Sequence, residues 1–249
     1  MKLKSDSGGE GTRLLVLLHG LGATRHVWRP MIALGRWNGS WIAPDLRGHG
    51  ASAHASGYTL QLHAADVAAL LKSSGHWDEI VVVGHSMGGA IALALASDQS
   101  GIHPIHAFGL GIKVSWNNEE LASMHKMAST PARLFGSRDD AIARYLKVSG
   151  LSGLVAAGSS EADAGVVQAE NGWRLACDPA CASVGAPQMA ELMAAAYAPV
   201  HLARGETDTM VTHEQLAVYD PDARDLAGGH NAMLEQPRAV WDWIDEKLA

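Results

Sequence analysis

The sequence of 249 residues has little cysteine and no excess of positive charge. Its two cysteines, Cys177 and Cys181, are too few for a disulfide framework, and their spacing predicts that both lie on one face of a helix. No second pair of cysteines or histidines accompanies them, so we expect no bound metal. The formal net charge of −7 comes without a basic stripe, which argues against a nucleic-acid partner.

Long hydrophobic runs are also missing. Residues 1–5 lack the apolar core of a signal peptide, and no segment approaches the length of a transmembrane helix. We therefore expect no stable membrane insertion, a cytoplasmic location, and a monomer or homodimer. Hydrophobic residues make up 47% and charged residues 18%, a balance typical of globular proteins rather than disordered ones.

The most informative segment is Gly-His-Ser-Met-Gly-Gly at residues 84–89. It follows the apolar run 80–83, which predicts a buried strand, and it precedes the alanine-rich run 90–96, which predicts a helix. A turn this tight is strained at its apex and crowded on both flanks, so glycines are the fitting neighbours of Ser86. The pattern predicts a nucleophile elbow that exposes the Ser86 hydroxyl above a helix N-terminus.

Further buried strands are predicted at residues 14–18, 40–43, 105–110 and 199–203, and a helix at residues 57–73. In that helix Leu62, Ala65, Ala69 and Leu70 fall on one side, which we take as the buried face. Strands that alternate with helices indicate an α/β fold: a mostly parallel sheet with helices on both faces. In such sheets, ligands bind beyond the carboxyl ends of the strands.

The alternation breaks between about residues 115 and 188. Helices are predicted from Asn117 or Asn118 to about residue 128, from Ser137 or Arg138 to residue 148, and over residues 187–196, with small residues at 150–165. We expect a core domain formed by residues 1–114 and 189–249. Residues 115–188 would then be a helical cap inserted over the strand ends.

A serine needs a base to remove its proton, and the base needs a third group to orient it. Among 13 histidines, His230 stands out because it follows a predicted last strand in a glycine-rich loop. Asp208 follows the strand at 199–203 and is the candidate for the orienting carboxylate. Glu206 and Asp225 are nearby rivals that we interpret as solvated charges.

The negative charge that develops during acyl transfer needs two N–H donors, each worth about 3 kcal/mol when lost. Met87 follows the nucleophile and supplies one, and Leu21 in the loop at residues 19–22 supplies the second. Trp28 and Trp116 are candidates for lining the substrate pocket. Residues 47–50, Arg-Gly-His-Gly, lack the lysine and the spacing of a phosphate-binding loop, so a structural turn near the pocket is the better interpretation.

These motifs together resemble the α/β-hydrolase superfamily, in its branch of small esterases and hydrolases. The matching segments are residues 19–22, 45–50, 84–89, 205–208 and 229–230. The resemblance implies the chain order of nucleophile, acid and histidine that Ser86, Asp208 and His230 follow. It implies an oxyanion hole at Leu21 and Met87. Few residues precede residue 14, so the N-terminal hairpin usual in the family is shortened.

The function we expect is a cofactor-free serine hydrolase that cleaves carboxylic esters of small-to-medium, mainly apolar substrates. The alternatives that would use the same three residues are hydrolysis of a C–C bond in a meta-cleavage product, lactone cleavage and perhydrolysis. In the C–C case, Arg133, Arg138 or Arg144 would hold a substrate carboxylate. A receptor without catalysis is the remaining alternative, since fold alone does not fix function.

Overall fold

The computed structural model describes residues 1–97 and 100–249. Within these ranges the strands are β1 Ser5–Gly8, β2 Arg13–Leu18, β3 Ser40–Pro44, β4 Glu79–His85, β5 His106–Leu110, β6 Val166–Ala169, β7 Gly172–Leu175, β8 Val200–Gly205 and β9 Arg224–Leu226. The α-helices are α1 Arg29–Ala33, α2 Leu60–Ser74, α3 Met87–Leu95, α4 Asn118–Ser129, α5 Arg138–Val148, α6 Ser160–Asp163, α7 Met189–Ala195, α8 His213–Ala217, α9 Ala232–Glu235 and α10 Pro237–Leu248. The strands predicted from the sequence are confirmed, with ends that differ by one or two residues.

Seven of the described strands form one sheet in the order β1-β3-β2-β4-β5-β8-β9. Strand β1 is antiparallel to β3, and all other neighbours in this sheet are parallel. Strand β1 therefore forms one edge of the sheet. Because β4 lies at the centre, its carboxyl end has the ends of β2 and β5 on either side.

Both faces of the sheet are covered, as the alternation of β2 shows. Leu14, Val16 and Leu18 belong to one buried cluster, whereas Leu15 and Leu17 belong to another. The first cluster contains residues of α2, α3 and α7, and the second contains residues of α1, α5 and α10. Successive side chains of a strand point to opposite faces, so this division follows directly from the period of two.

The buried face of α2 differs from the one predicted. Leu62, Ala65 and Ala69 are exposed, and the helix instead buries His63, Ala64, Asp66, Val67, Ala68 and Leu71. The hydrophobic pattern was misleading because two polar residues lie on the buried face. Asp66 is retained there by an ion pair with Arg47, with 2.7 Å between its Oδ2 and the guanidinium Nε.

The segment between β5 and β8 begins with helices α4 and α5, whose N-caps are Asn117 and Ser137. It then contains the antiparallel hairpin β6–β7, which the sequence did not predict. The prediction that the two cysteines share a helix face is wrong. Cys181 lies in a 3₁₀ helix over Pro179–Val184, and Cys177 precedes it. Among the described residues, no helix combines the length and hydrophobicity needed to cross a membrane.

Candidate active site

Ser86 occupies a sharp turn between the central strand β4 and helix α3. Its backbone has φ 52° and ψ −118°, and it is the only described residue other than glycine with positive φ. A Cβ on Gly84 would lie 2.0 Å from the Gly88 carbonyl oxygen, and one on Gly88 would lie 2.2 Å from that of Leu18. Such contacts are sterically forbidden, so only glycine permits this packing around the strained serine.

Asp208 and His230 lie at the carboxyl ends of β8 and β9, on one side of Ser86. The Nδ1–H of His230 donates a hydrogen bond to Oδ2 of Asp208 at 2.8 Å. The Asp208 side chain is fully buried, and its Oδ1 accepts from the Met210 N–H at 2.7 Å. The carboxylate thus fixes the tautomer of His230 and leaves Nε2 with a lone pair that can accept a proton.

Of the three carboxylates considered from the sequence, Asp208 is the one that contacts His230. Glu206 is exposed, and Asp225 pairs with the Nε of Arg204 at 2.8 Å. The same Arg204 donates to the backbone carbonyl of Asp208 at 3.0 Å. Asp225 therefore helps to hold the loop that carries Asp208.

His85, next to Ser86, has a role that sequence reasoning missed. Its Nε2–H donates to the backbone carbonyl of His230 at 2.8 Å, and the two rings meet edge to face with centroids 4.6 Å apart. Burial, together with the charge that His230 would carry, lowers the pKa of His85 well below its ordinary value. It is therefore a neutral donor that holds the backbone of His230 beside Ser86.

On the other side of Ser86, the loop after β2 lies against the elbow. A Cβ on Gly20 would be 3.2 Å from the Cβ of Ser86. Leu21 and Met87 both line the cavity at Ser86, and neither backbone N–H has an acceptor among residues 1–97 and 100–249. The two N–H groups beside Ser86 are therefore free to bind an acceptor, which is what the candidate oxyanion hole requires.

Two buried histidines hold this loop. His19 accepts from the Leu46 N–H at Nε2 (3.0 Å) and donates from Nδ1 to the Gly20 carbonyl (2.8 Å). His49 accepts from the Gly22 N–H at Nε2 (3.1 Å) and donates from Nδ1 to the Arg47 carbonyl (2.9 Å). Residues 47–50 thus serve as a structural turn that supports the loop, and no pattern in the sequence identified His19 or His49 as its supports.

Ser86 and His230 open into one cavity of about 310 Å³. Its apolar walls include Leu21, Ile112, Trp116, Met124, Val148 and Met210. Trp116 is fixed by a hydrogen bond from its indole N–H to the Lys113 carbonyl at 3.0 Å. The expectation that Trp28 lines this pocket is wrong: its side chain is fully buried in the core on the α1–α10 face. Although Trp28 lies close in sequence to the loop of residues 19–22, it ends the 3₁₀ turn over Arg25–Trp28, which packs it into that core.

Known proteins share this fold. The profile of the alpha/beta hydrolase family matches residues 15–243, and the chain belongs to that family. The solved structure of E-2-(acetamidomethylene)succinate hydrolase superimposes with a TM-score of 0.79 at 21% identity, covering 98% of this chain and 94% of that one. At 21% identity, this similarity is evidence for a shared fold alone.

Two curated relatives are similar over a shorter part of the chain. Lipase LipV of Mycobacterium tuberculosis is 35% identical over 96 residues, which are 36% of this chain and 34% of the lipase. Epoxide hydrolase 4 of Mus musculus is 36% identical over 93 residues, which are 36% of this chain and 26% of that protein. The matches span about a third of the first relative's length and about a quarter of the second's.

Proposed function

We propose that the protein is a serine hydrolase that cleaves carboxylic esters through an acyl-enzyme on Ser86. One observation carries the proposal: the only strained non-glycine residue of the described chain faces the same cavity as a histidine bonded to a buried carboxylate. Strain at a single polar residue is typical of sites where the geometry serves a reaction.

In the proposed reaction, Nε2 of His230 takes the proton of Ser86 as Oγ attacks the ester carbonyl. The N–H groups of Leu21 and Met87 stabilise the oxyanion of the tetrahedral intermediate. His230 then gives the proton to the leaving alcohol, and a water molecule, deprotonated by the same His230, hydrolyses the acyl-enzyme. These steps use only groups of this chain and water.

A serine nucleophile favours esters over epoxides. Attack of Ser86 on an epoxide carbon would form an ether, which water does not cleave under these conditions, whereas an acyl-enzyme is an ester and turns over. The similarity to an epoxide hydrolase is therefore assigned to the shared fold rather than to a shared substrate.

We further propose that residues 115–188 act as a cap that selects small-to-medium, mainly apolar substrates. Trp116, Met124 and Val148 of this segment form apolar walls of the cavity, whose volume of about 310 Å³ is at the small end of ligand sites. A series of p-nitrophenyl esters of increasing acyl length tests this. A preference for long or charged acyl groups would contradict it.

A second candidate is hydrolysis of an acidic substrate, including a C–C bond of a meta-cleavage product. Lys126, Arg133 and Arg144 line an adjacent groove of about 460 Å³ that shares Leu21 and Val148 with the catalytic cavity. Arg138 is not available for this role because it pairs with Asp163. Assaying a meta-cleavage product beside an aryl ester separates the two candidates, and Arg144→Gln should weaken only the acidic substrate.

Replacing the nucleophile tests the proposal directly. Ser86→Ala should reduce the kcat for p-nitrophenyl butyrate by a factor on the order of 10⁶, as for loss of the serine in other triads. Ser73→Ala, at an exposed serine of α2, is the matched control and should keep full activity. A fluorophosphonate probe should label wild type at Ser86 alone. Unchanged turnover in Ser86→Ala would refute the proposal.

A further inference from the structure

A second cluster of reactive side chains lies behind the loop of residues 19–22, outside the proposed triad. We call this loop the oxyanion loop after the role proposed for Leu21. The ligand atoms of His49, Cys177 and Cys181 all lie within 4.8 Å of one another. Sγ of Cys181 is 3.8 Å from Nδ1 of His49, although the two residues are 132 positions apart in the chain. Both cysteines are free thiols. The spacing of the two cysteines gave no sign of the cluster, because its third member, His49, comes from a turn that is distant in the chain.

These distances are close to those of a bound transition metal. A tetrahedral zinc ion, with Zn–S of about 2.3 Å and Zn–N of about 2.0 Å, separates its ligand atoms by about 3.5 to 3.8 Å. Shifts of about 1 Å or less would bring three ligands into that geometry. Two thiols and an imidazole form a soft donor set that favours zinc and similar ions over magnesium or calcium.

The residues of the cluster are closely packed, and a groove connects the cluster to solvent. Gly48, at φ +74°, brings its backbone so near that a Cβ there would lie 2.4 Å from Sγ of Cys181. Cys181 and His49 are fully buried. Cys177 is half-buried and lines the groove of about 460 Å³ that also borders Leu21 and Gly22. An ion can therefore reach the thiols from solvent through that groove.

We propose that Nδ1 of His49 and the Sγ atoms of Cys177 and Cys181 form a binding site for one zinc-like divalent ion, with an open fourth position. Binding releases both thiol protons to solvent and moves the imidazole proton from Nδ1 to Nε2. The metal–nitrogen bond replaces the present hydrogen bond from Nδ1 to the Arg47 carbonyl.

This proton shift couples the metal site to the oxyanion loop. At present Nε2 of His49 accepts the N–H of Gly22, which directly follows Leu21. Once Nε2 carries a proton, two donors face each other and this hydrogen bond is lost. Metal binding then releases the loop that supplies the Leu21 N–H, so the ion acts as an inhibitor of the proposed ester hydrolysis.

Cadmium absorption tests the binding without any activity assay. The chain contains only two cysteines, so the cadmium–thiolate charge-transfer band reports this site alone. Titration of the full chain with Cd²⁺ in a non-thiol reductant should give one ion per chain, and Zn²⁺ should displace it whereas Mg²⁺ should not. Absence of the band, or a band produced only by ions bridging two chains, would overturn the proposal.

Single substitutions test each ligand. Cys177→Ser, Cys181→Ser and His49→Gln should each weaken Cd²⁺ binding at least tenfold, and His125→Gln, at an exposed histidine of α4, should not. Thermal unfolding of each metal-free variant checks that it folds. Because Cys177 is half-buried, Cys177→Ser remains informative even where the buried variants fail to fold. Wild-type affinity in Cys177→Ser, or in a folded His49→Gln, would overturn the three-ligand site.

The coupling rests on the proposed function and has its own measurement. Zn²⁺ should inhibit p-nitrophenyl butyrate hydrolysis by wild type and by His125→Gln at least tenfold more strongly than hydrolysis by Cys177→Ser. If metal-free wild type shows no turnover, the proposed function fails while the cadmium band still tests the metal site. If zinc binds at one ion per chain and leaves the rate unchanged, the coupling is refuted.

Discussion

Histidines on the two sides of Ser86 are used in opposite ways. On one side, His230 is partly exposed and bonded to the buried carboxylate of Asp208. On the other, His19, His49 and His63 are fully buried, and His19 and His49 hold the loop of residues 19–22 through hydrogen bonds. Burial and the neighbouring His49 lower the pKa of His19 to about 3, and burial likewise lowers the pKa of His63 to about 3. The comparison shows that a carboxylate partner and access to the cavity suit His230 to its proposed role as a base, whereas burial keeps His19 and His63 neutral.

Removing the carboxylate of Asp208 should take from His230 the partner that distinguishes it from His19, His49 and His63. Asp208→Asn should lower the kcat of ester hydrolysis by a factor on the order of 10⁴, because an amide no longer selects the tautomer with a proton on Nδ1. The measurement is steady-state turnover of p-nitrophenyl butyrate. Glu206→Gln, the exposed rival carboxylate, is the control and should stay near wild type. Equal losses in both variants would remove Asp208 from the proposed triad.

His85 is buried and neutral like His19 and His63, yet its hydrogen-bond partner is the backbone of His230. His85→Phe removes the donor to the His230 carbonyl, at a cost of about 1–3 kcal/mol, so kcat should fall about tenfold to hundredfold with KM little changed. His85→Gln retains an N–H donor and should recover part of the loss. A change in KM alone, or no recovery in the glutamine variant, would contradict this positioning role.

His19 and His63 differ in their hydrogen bonds, and measurements of stability should reveal the difference. His19 has two hydrogen bonds to backbone groups, whereas neither ring nitrogen of His63 has a partner in the described ranges. His19→Phe should therefore lower the free energy of unfolding by roughly 2–4 kcal/mol, and His63→Leu by less than about 1 kcal/mol. Urea unfolding at neutral pH measures both. The reverse order would show that the hydrogen bonds of His19 contribute little.

Acid should weaken the fold through the same neutral imidazoles. The unfolded chain binds protons at the ordinary histidine pKa of 6.5, whereas folded His19 and His63 bind them only near about 3. Each histidine's contribution is thus complete above pH 6.5 and is lost at about 1.4 kcal/mol per pH unit as the pH falls toward 3. In urea unfolding between about pH 6.5 and pH 4, His63→Leu should show the shallower decline. A decline as steep as that of wild type would exclude His63 as a source.

Local sequence predicted the parts of the site that depend on local sterics. The elbow at Ser86 was predictable because Gly84 is required by a contact within the turn itself, with the Gly88 carbonyl, and the strands were predictable from their uninterrupted apolar runs. The buried face of α2 was not, because His63 and Asp66 lie on it and their partners come from other elements. Trp28 was misplaced for the same reason, since the core it packs into is formed by distant helices.

The sequence by itself determined the α/β class, the tight glycine-flanked turn at Ser86 and the order in which serine, acid and histidine candidates occur. Only the tertiary structure decided that Asp208 rather than Asp225 meets His230, that His19 and His49 hold the oxyanion loop, and that Cys177 and Cys181 meet His49. The physical reason is the separation along the chain over which each kind of interaction acts. Backbone sterics and hydrophobic periodicity act over a few residues, whereas these contacts form where loops far apart in the chain meet at the same end of a parallel sheet.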